Sequence, residues 1–206
     1  SAIWVDIPTI MKHQLASLTV LLLAAACGED ARVDVPANGI IRLSAEFTGA
    51  FALTGHDGAA YENDAFNGKI GLVYFGFASC PDVCPAALGV MSAALNELSD
   101  RELADLQPLF ITVDPERDTP EALRARLSHD PRILGLTGPN DAIEAAKKSF
   151  KVYAEKEDLP GSALGYTVNH LSLFYVTDRE GRPVVALRDT LTPQQLAAVL
   201  RDYIRA

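Results

Sequence analysis

Lys69-Ile70-Gly71-Leu72-Val73-Tyr74-Phe75-Gly76-Phe77 is apolar almost without interruption and rich in residues that favour extended backbone. Strict alternation would mark a strand with one wet face. A continuous run of this length marks a central strand covered on both faces. Directly behind it stands Ala78-Ser79-Cys80-Pro81-Asp82-Val83-Cys84-Pro85. Residues 86–98 then carry Leu88, Met91, Leu95 and Leu98 at helical spacing. A buried strand thus feeds a helix through a connection holding two cysteines.

Outward from this unit the alternation continues. Residues 109–113 form a second buried strand, closing on Asp114-Pro115. Asp118-Thr119-Pro120-Glu121 reads as a helix start, with a capping side chain, an early proline and an acid in the first turn. Residues 133–136 are a short strand, and Asn140-Asp141 caps a helix running to Phe150. Residues 171–176 and 183–187 read as two strands joined by the turn Asp178-Arg179-Glu180-Gly181. Thr192-Pro193-Gln194-Gln195 is a capping box for a last helix through residues 196–204. Upstream, residues 51–54 form a short strand entering the turn Gly55-His56-Asp57-Gly58. Helices alternating with apolar strands predict an α/β sheet with crossovers, to which the late hairpin adds antiparallel strands.

The composition agrees. Of 206 residues, 49% are hydrophobic and 22% charged, the balance of a globular chain. Lys and Arg number 18 against 27 Asp and Glu, a net charge of −9. With no basic run, this acidic chain lacks the electrostatic footprint of a nucleic-acid binder. The three cysteines, Cys27, Cys80 and Cys84, are too few for a disulfide scaffold.

Cys27 belongs to a different kind of segment. Met11-Lys12-His13 is a weakly basic start, residues 15–26 carry no charge, and Leu23-Ala24-Ala25-Ala26-Cys27 is followed by Gly28-Glu29-Asp30. A short apolar stretch ending in small residues is the layout of an export signal. The cysteine directly behind resembles a bacterial lipobox, which makes Cys27 the expected lipidation site. Residues 1–10 do not fit such a signal and read as an upstream-start artefact or an expression remnant. Residues 11–26 are then the signal peptide, 27–39 a polar tether and 40–206 the folded domain. The expected location is the periplasmic side of a bacterial membrane, lipid-anchored, where disulfides can form and persist.

Cys80 and Cys84 stand at a strand-to-helix join. On a first helical turn, residues four apart project from one face, and the unpaired amides there lower thiol pKa values. Two thiolates side by side near the surface are the expectation. They suit either reversible disulfide formation or a soft metal ion. Two thiolates leave a metal one ligand short. His13 lies in the signal, and His56 and His129 read as ordinary surface residues. His170 enters the strand at 171–176 from the polar approach Thr167-Val168-Asn169, on a loop that can reach the cysteine join. A lone histidine is more often structural or solvated than a ligand, so spacing alone leaves His170 open.

Phe75-Gly76-Phe77-Ala78-Ser79-Cys80-Pro81-Asp82-Val83-Cys84-Pro85 resembles the signature of the Sco/SenC family of copper chaperones. Val113-Asp114-Pro115-Glu116-Arg117-Asp118-Thr119-Pro120 resembles its second block, and Asn169-His170 before an apolar strand its third. Residues 51–58 with Gly68-Lys69 match its opening. The resemblance implies a thioredoxin-like fold: a central mixed sheet flanked by helices, with extra N-terminal strands. It implies a copper ion, Cu(I) or Cu(II), held by Cys80, Cys84 and His170. It implies help in building the dinuclear copper centre of cytochrome c oxidase. The partner would be the copper-accepting oxidase subunit or another copper chaperone. Asn169 stands where the family pattern leads one to expect aspartate, a position suited to orienting the ligand. Asp82 reads first as a helix-start residue completing the turn, and otherwise as a group acting electrostatically on the metal site or the acceptor. Asp114 and Asp118 fit turn and cap duties or an acidic docking rim.

Other functions compete. The same cysteines could serve a thiol-disulfide oxidoreductase, a peroxide-reducing protein, or a redox or copper sensor. Thioredoxin-type redox motifs space their cysteines three apart, and disulfide exchange needs no histidine ligand. A metallochaperone, not an enzyme in the turnover sense, is therefore the leading reading. A monomer is expected, because no apolar stripe is left after the core is assigned.

Overall fold

The computed structural model describes residues 33–206. Cys27, the signal at 11–26, residues 1–10 and the start of the tether lie outside the described residues.

In chain order the elements are β1 (Ile40–Arg42), β2 (Ala52–Gly55), β3 (Ala60–Glu62), β4 (Ile70–Gly76), α1 (Val83–Asn96), α2 (Asp100–Ala104), β5 (Leu106–Thr112), α3 (Pro120–Arg126), β6 (Leu134–Thr137), α4 (Asn140–Phe150), β7 (Ala154–Asp158), β8 (Tyr166–His170), β9 (Leu173–Thr177), β10 (Pro183–Arg188) and α5 (Pro193–Arg205). Eight strands form one mixed sheet in the order β1-β10-β9-β4-β5-β6-β2-β3. β4, β5 and β6 are parallel, while β9 runs antiparallel against the other side of β4. β4 is thus central, and every one of its residues is buried. Its alternate side chains serve two cores. Tyr74 meets Phe110 and Phe174 on the face covered by α1. Phe75 meets Phe150 of α4 and Tyr175 on the opposite face. α5 packs beside α1. This is the expected thioredoxin-like arrangement: a mixed sheet between helices, with β1 to β3 as the extra N-terminal strands and β9–β10 as the late hairpin.

Several boundaries moved, each for a physical reason. α1 begins at Val83, three residues before the expected start. Pro85 falls in its first turn, where an amide would have no intrahelical partner in any case. β5 begins at Leu106 and contains Pro108. Pairing with β6 starts only at Leu109, so proline sits where that side of the strand carries no ladder. The short helix α2 was not expected; a capping box between Ser99 and Glu102 starts it. Thr119 and Thr192 cap α3 and α5 as read.

The largest departure is a second sheet. β7 and β8 form an antiparallel pair, in register from Ala154↔His170 to Asp158↔Tyr166, with no ladder to the main sheet. β7 reads Ala-Glu-Lys-Glu-Asp, without the apolar alternation that marks a strand. β8 does alternate: Val168 is buried between Tyr166 and His170, while Thr167 and Asn169 occupy the other face. His170 therefore ends a strand and does not lie on a loop.

Candidate functional site

β4 leaves the sheet at Gly76, and the chain turns through Phe77, whose carbonyl accepts from the Cys80 amide at 3.3 Å. Asp118 holds this turn from below. Its buried Oδ2 accepts from the Ala78 amide at 2.8 Å and from the Thr112 hydroxyl at 2.7 Å. Burial pushes the Asp118 carboxyl above the ordinary carboxylate value. Gly76 gives the site its closeness: a Cβ there would meet Phe110 at 2.9 Å and both Cys84 Sγ and Tyr74 at 3.0 Å.

The two cysteines are not equivalent, and here the structure corrects the expectation of two surface thiolates on one helical turn. Cys80 lies in the loop ahead of α1, 8% exposed, and Cys84 lies in the first turn of α1, fully buried. The amide of Cys84 donates to Cys80 Sγ at 3.3 Å. Hydrogen bonding from the Cys84 side chain, with the amides of Cys84 and Asp82, holds the Cys80 thiol well below its ordinary pKa. Cys84 goes the other way. Donating to Cys80, and buried, it keeps its proton far above the usual range. Both cysteines are free, with no disulfide between them.

His170 joins them from the second sheet. Its Nδ1 lies 3.1 Å from the Leu171 carbonyl, an acceptor only, so Nδ1 carries the hydrogen. That leaves the Nε2 lone pair facing Cys84 Sγ at 3.5 Å. The rings of Tyr74 and Phe77 meet the imidazole edge-on, with centroids 6.2 and 6.0 Å away. A cleft of about 240 Å³ opens between the cysteine loop and β8, lined by Phe77, Cys80, Pro81, Val83, Val168 and His170 among others. A larger recess, about 550 Å³ beside His56, Lys69 and Arg132, contains none of the three candidate ligands.

The donor set fits a soft or borderline metal ion. With bonds of about 2.3 Å to sulfur and 2.0 Å to imidazole nitrogen, two ligands of one ion stand roughly 3.5–3.7 Å apart. Cys84 and His170 are at that separation. Cys80 Sγ rests on the helix amide, so the three donors are neighbours and not a closed cluster. Among the described residues no group of three or more His, Cys, Asp or Glu side chains is closed around a common point.

The remaining sequence candidates are placed as follows. Asp82 is the residue before α1, but its side chain makes no cap. Asp114 and Asp118 are both fully buried, which excludes an acidic docking rim. Asn169 does not orient His170: it sits on the opposite face of β8 and donates to Glu157 at 2.6 Å. His56 is structural, its Nδ1 accepting from the Gly135 amide at 2.9 Å. His129 is exposed, with Nδ1 against the Arg126 carbonyl. Sequence reading missed Tyr74 and Phe77 as walls of the imidazole site. Their place directly before the cysteine motif was the available signal.

The SCO1/SenC family profile matches residues 41–205, nearly the whole described domain. The chain belongs to the SCO1/SenC family. Among curated SCO1/SenC relatives, "Protein SCO2, mitochondrial" from Saccharomyces cerevisiae is 37% identical over 159 residues, covering 77% of this chain and 53% of that protein. The chain thus spans about half the length of that curated relative. Among solved structures, Bradyrhizobium japonicum ScoI with copper bound is 38% identical with a TM-score of 0.69, covering 76% of this chain and 99% of that one. Yeast Sco1 with copper bound is 37% identical with a TM-score of 0.69, covering 78% of this chain and 89% of that one.

Proposed function

We propose that this domain carries a copper ion as cargo, bound by Cys80, Cys84 and His170, and helps assemble the dinuclear copper centre of cytochrome c oxidase. The observation that carries the reading is the His170 imidazole. Its Nδ1–H is tied to a carbonyl and its Nε2 faces Cys84 Sγ at 3.5 Å. Disulfide exchange has no use for that arrangement, whereas a third ligand needs it. The copper-bound relatives support the choice of ion. Two thiolates and one imidazole make a trigonal set suited to Cu(I); Cu(II) would call for further ligands. The domain works, on this reading, as a monomer on the periplasmic side of a bacterial membrane, held there by a lipid on Cys27. Its partner is the copper-accepting oxidase subunit or another copper chaperone.

The test is Cu(I) stoichiometry and affinity on the reduced protein, measured anaerobically against a competing chelator. One ion per chain is expected. Cys80→Ser and Cys84→Ser each abolish retention of the ion and disulfide formation, with the fold preserved by circular dichroism. His170→Ala weakens binding by more than the roughly hundredfold that losing an outer hydrogen-bonding partner costs, and leaves disulfide exchange intact. A His170→Ala protein that binds copper like wild type removes His170 from the site. For the anchor, Cys27→Ala yields an uncleaved precursor or a soluble protein; unchanged processing and lipid labelling would overturn it.

One observation favours a second reading. Two free cysteines side by side, with the Cys84 amide donating to Cys80 Sγ at 3.3 Å, are also the arrangement of a dithiol reductant. Ready disulfide exchange without competitive copper binding would make the protein a thiol-disulfide oxidoreductase.

A further inference from the structure

The β7–β8 pair poses a question of its own. A two-stranded ladder outside any larger sheet is marginal in water. Yet this one carries the imidazole, which must be placed to within a fraction of an ångström. Its backbone makes no ladder to the main sheet: the bond from the Leu171 amide to the Tyr153 carbonyl at 3.1 Å closes the hairpin's own base, Lys147 of α4 reaches the Ala154 carbonyl at 3.4 Å, and Val168 is the one buried residue of the two strands.

What grips it is the turn after β5. Asp114, fully buried, accepts from Arg117 Nε through Oδ2 and from the Tyr166 hydroxyl at 2.8 Å through Oδ1. Arg117 Nη1 donates to the Leu164 carbonyl at 3.2 Å and to the Tyr166 carbonyl at 3.1 Å. The guanidinium lies 3.8 Å from the centre of the Tyr166 ring and 5.8 Å from that of Phe77. Lys156 of β7 pairs with Glu116 at 2.7 Å, and its ammonium stands 4.7 Å from the same tyrosine ring. Tyr166 begins β8 and His170 ends it, four residues along on the same face. Phe77 stands between the arginine and the imidazole, with the Arg117 guanidinium over its ring and His170 edge-on to it.

We propose that Asp114, Arg117 and Tyr166 form a latch that fixes the β7–β8 hairpin, and with it the His170 imidazole, over the cysteine loop. This inference rests on the reading of His170 as a ligand; its three residues are positioning residues and touch no metal. The carboxylate orients the guanidinium, the guanidinium closes two carbonyls at the start of β8, and the stiff strand carries that constraint to His170. Arginine is required because lysine could neither bridge the two carbonyls nor stack on the ring.

Tyr166→Phe keeps the ring and removes only the hydroxyl bonded to Asp114. Arg117→Met removes the charge and keeps the stem. Two readouts decide. The first is amide hydrogen exchange across Tyr166–His170 in the copper-free protein, which should quicken roughly tenfold in Tyr166→Phe while exchange in β4 stays unchanged. The second is Cu(I) affinity in a double-mutant cycle. Tyr166→Phe should cost about tenfold in the wild-type background and nothing on top of His170→Ala. Equal losses in both backgrounds, or unaltered exchange in the hairpin, overturn the latch. If His170→Ala keeps full affinity, the ligand assignment falls, and hydrogen exchange alone still decides for or against the latch.

Discussion

The two halves of the site come from regions built on opposite principles. Cys80 and Cys84 follow β4, whose every residue is buried and which pairs with β5 on one side and β9 on the other. His170 ends a hairpin that joins no larger sheet and exposes four of the five residues of β7. The thiols are positioned by a core that cannot shift without repacking two layers of aromatic side chains. The imidazole is positioned by a few polar and stacking contacts. Apolar burial gives stability without direction, whereas charge-assisted hydrogen bonds give direction with less stability. The site therefore joins a fixed pair of sulfurs to an imidazole on a separately anchored arm.

That contrast can be tested from its largest consequence downward. Amides of Val73–Phe75 should exchange only through global unfolding, and those of Tyr166–His170 through local opening. We expect the latter to be faster by roughly a hundredfold or more in the copper-free protein; equal rates would mean that the hairpin belongs to the core's cooperative unit. Gly76→Ala strikes the core half alone. The new methyl would meet Phe110 at 2.9 Å and Cys84 Sγ at 3.0 Å. It should cost about 1–3 kcal/mol in thermal or denaturant unfolding and weaken copper binding while leaving hairpin exchange unchanged. The third consequence is a pH dependence. Cys80 is already ionised, its pKa being lowered, whereas Cys84, with its pKa raised, must give up a proton when a metal binds. Affinity should therefore rise with pH, by about tenfold per unit between roughly pH 7 and 8 once the chelator's own protonation is corrected for. A slope near two would mean both thiols start protonated, and a slope near zero that both start as thiolates.

How much of this was legible depended on which force built each part. The strand at 69–77 and the helix at 86–98 announced themselves because burial writes a long apolar or periodic signature. The caps at Thr119 and Thr192 were readable because capping is local chemistry with fixed spacing. The inequality of Cys80 and Cys84 was not readable, since it depends on α1 starting at Val83 and not at residue 86. β7 was hidden because Glu155, Lys156, Glu157 and Asp158 bury almost nothing, and the position of His170 was misread with it. Asp114 and Asp118 look like surface acids in any local window. Only the fold reveals that Thr112, Ala78, Arg117 and Tyr166 supply the partners that permit their burial.

The outer strands of the large sheet carry a consequence for how the molecule behaves among its own kind. β1 and β3 close the two edges with three residues each, and they end on Arg42 and Glu62. Edges that short, closed by charges, expose too little unpaired backbone to template another chain. Eight strands can thus be kept at high local concentration without seeding fibres, and the open cleft at the end of β4 is left as the place where contact is productive.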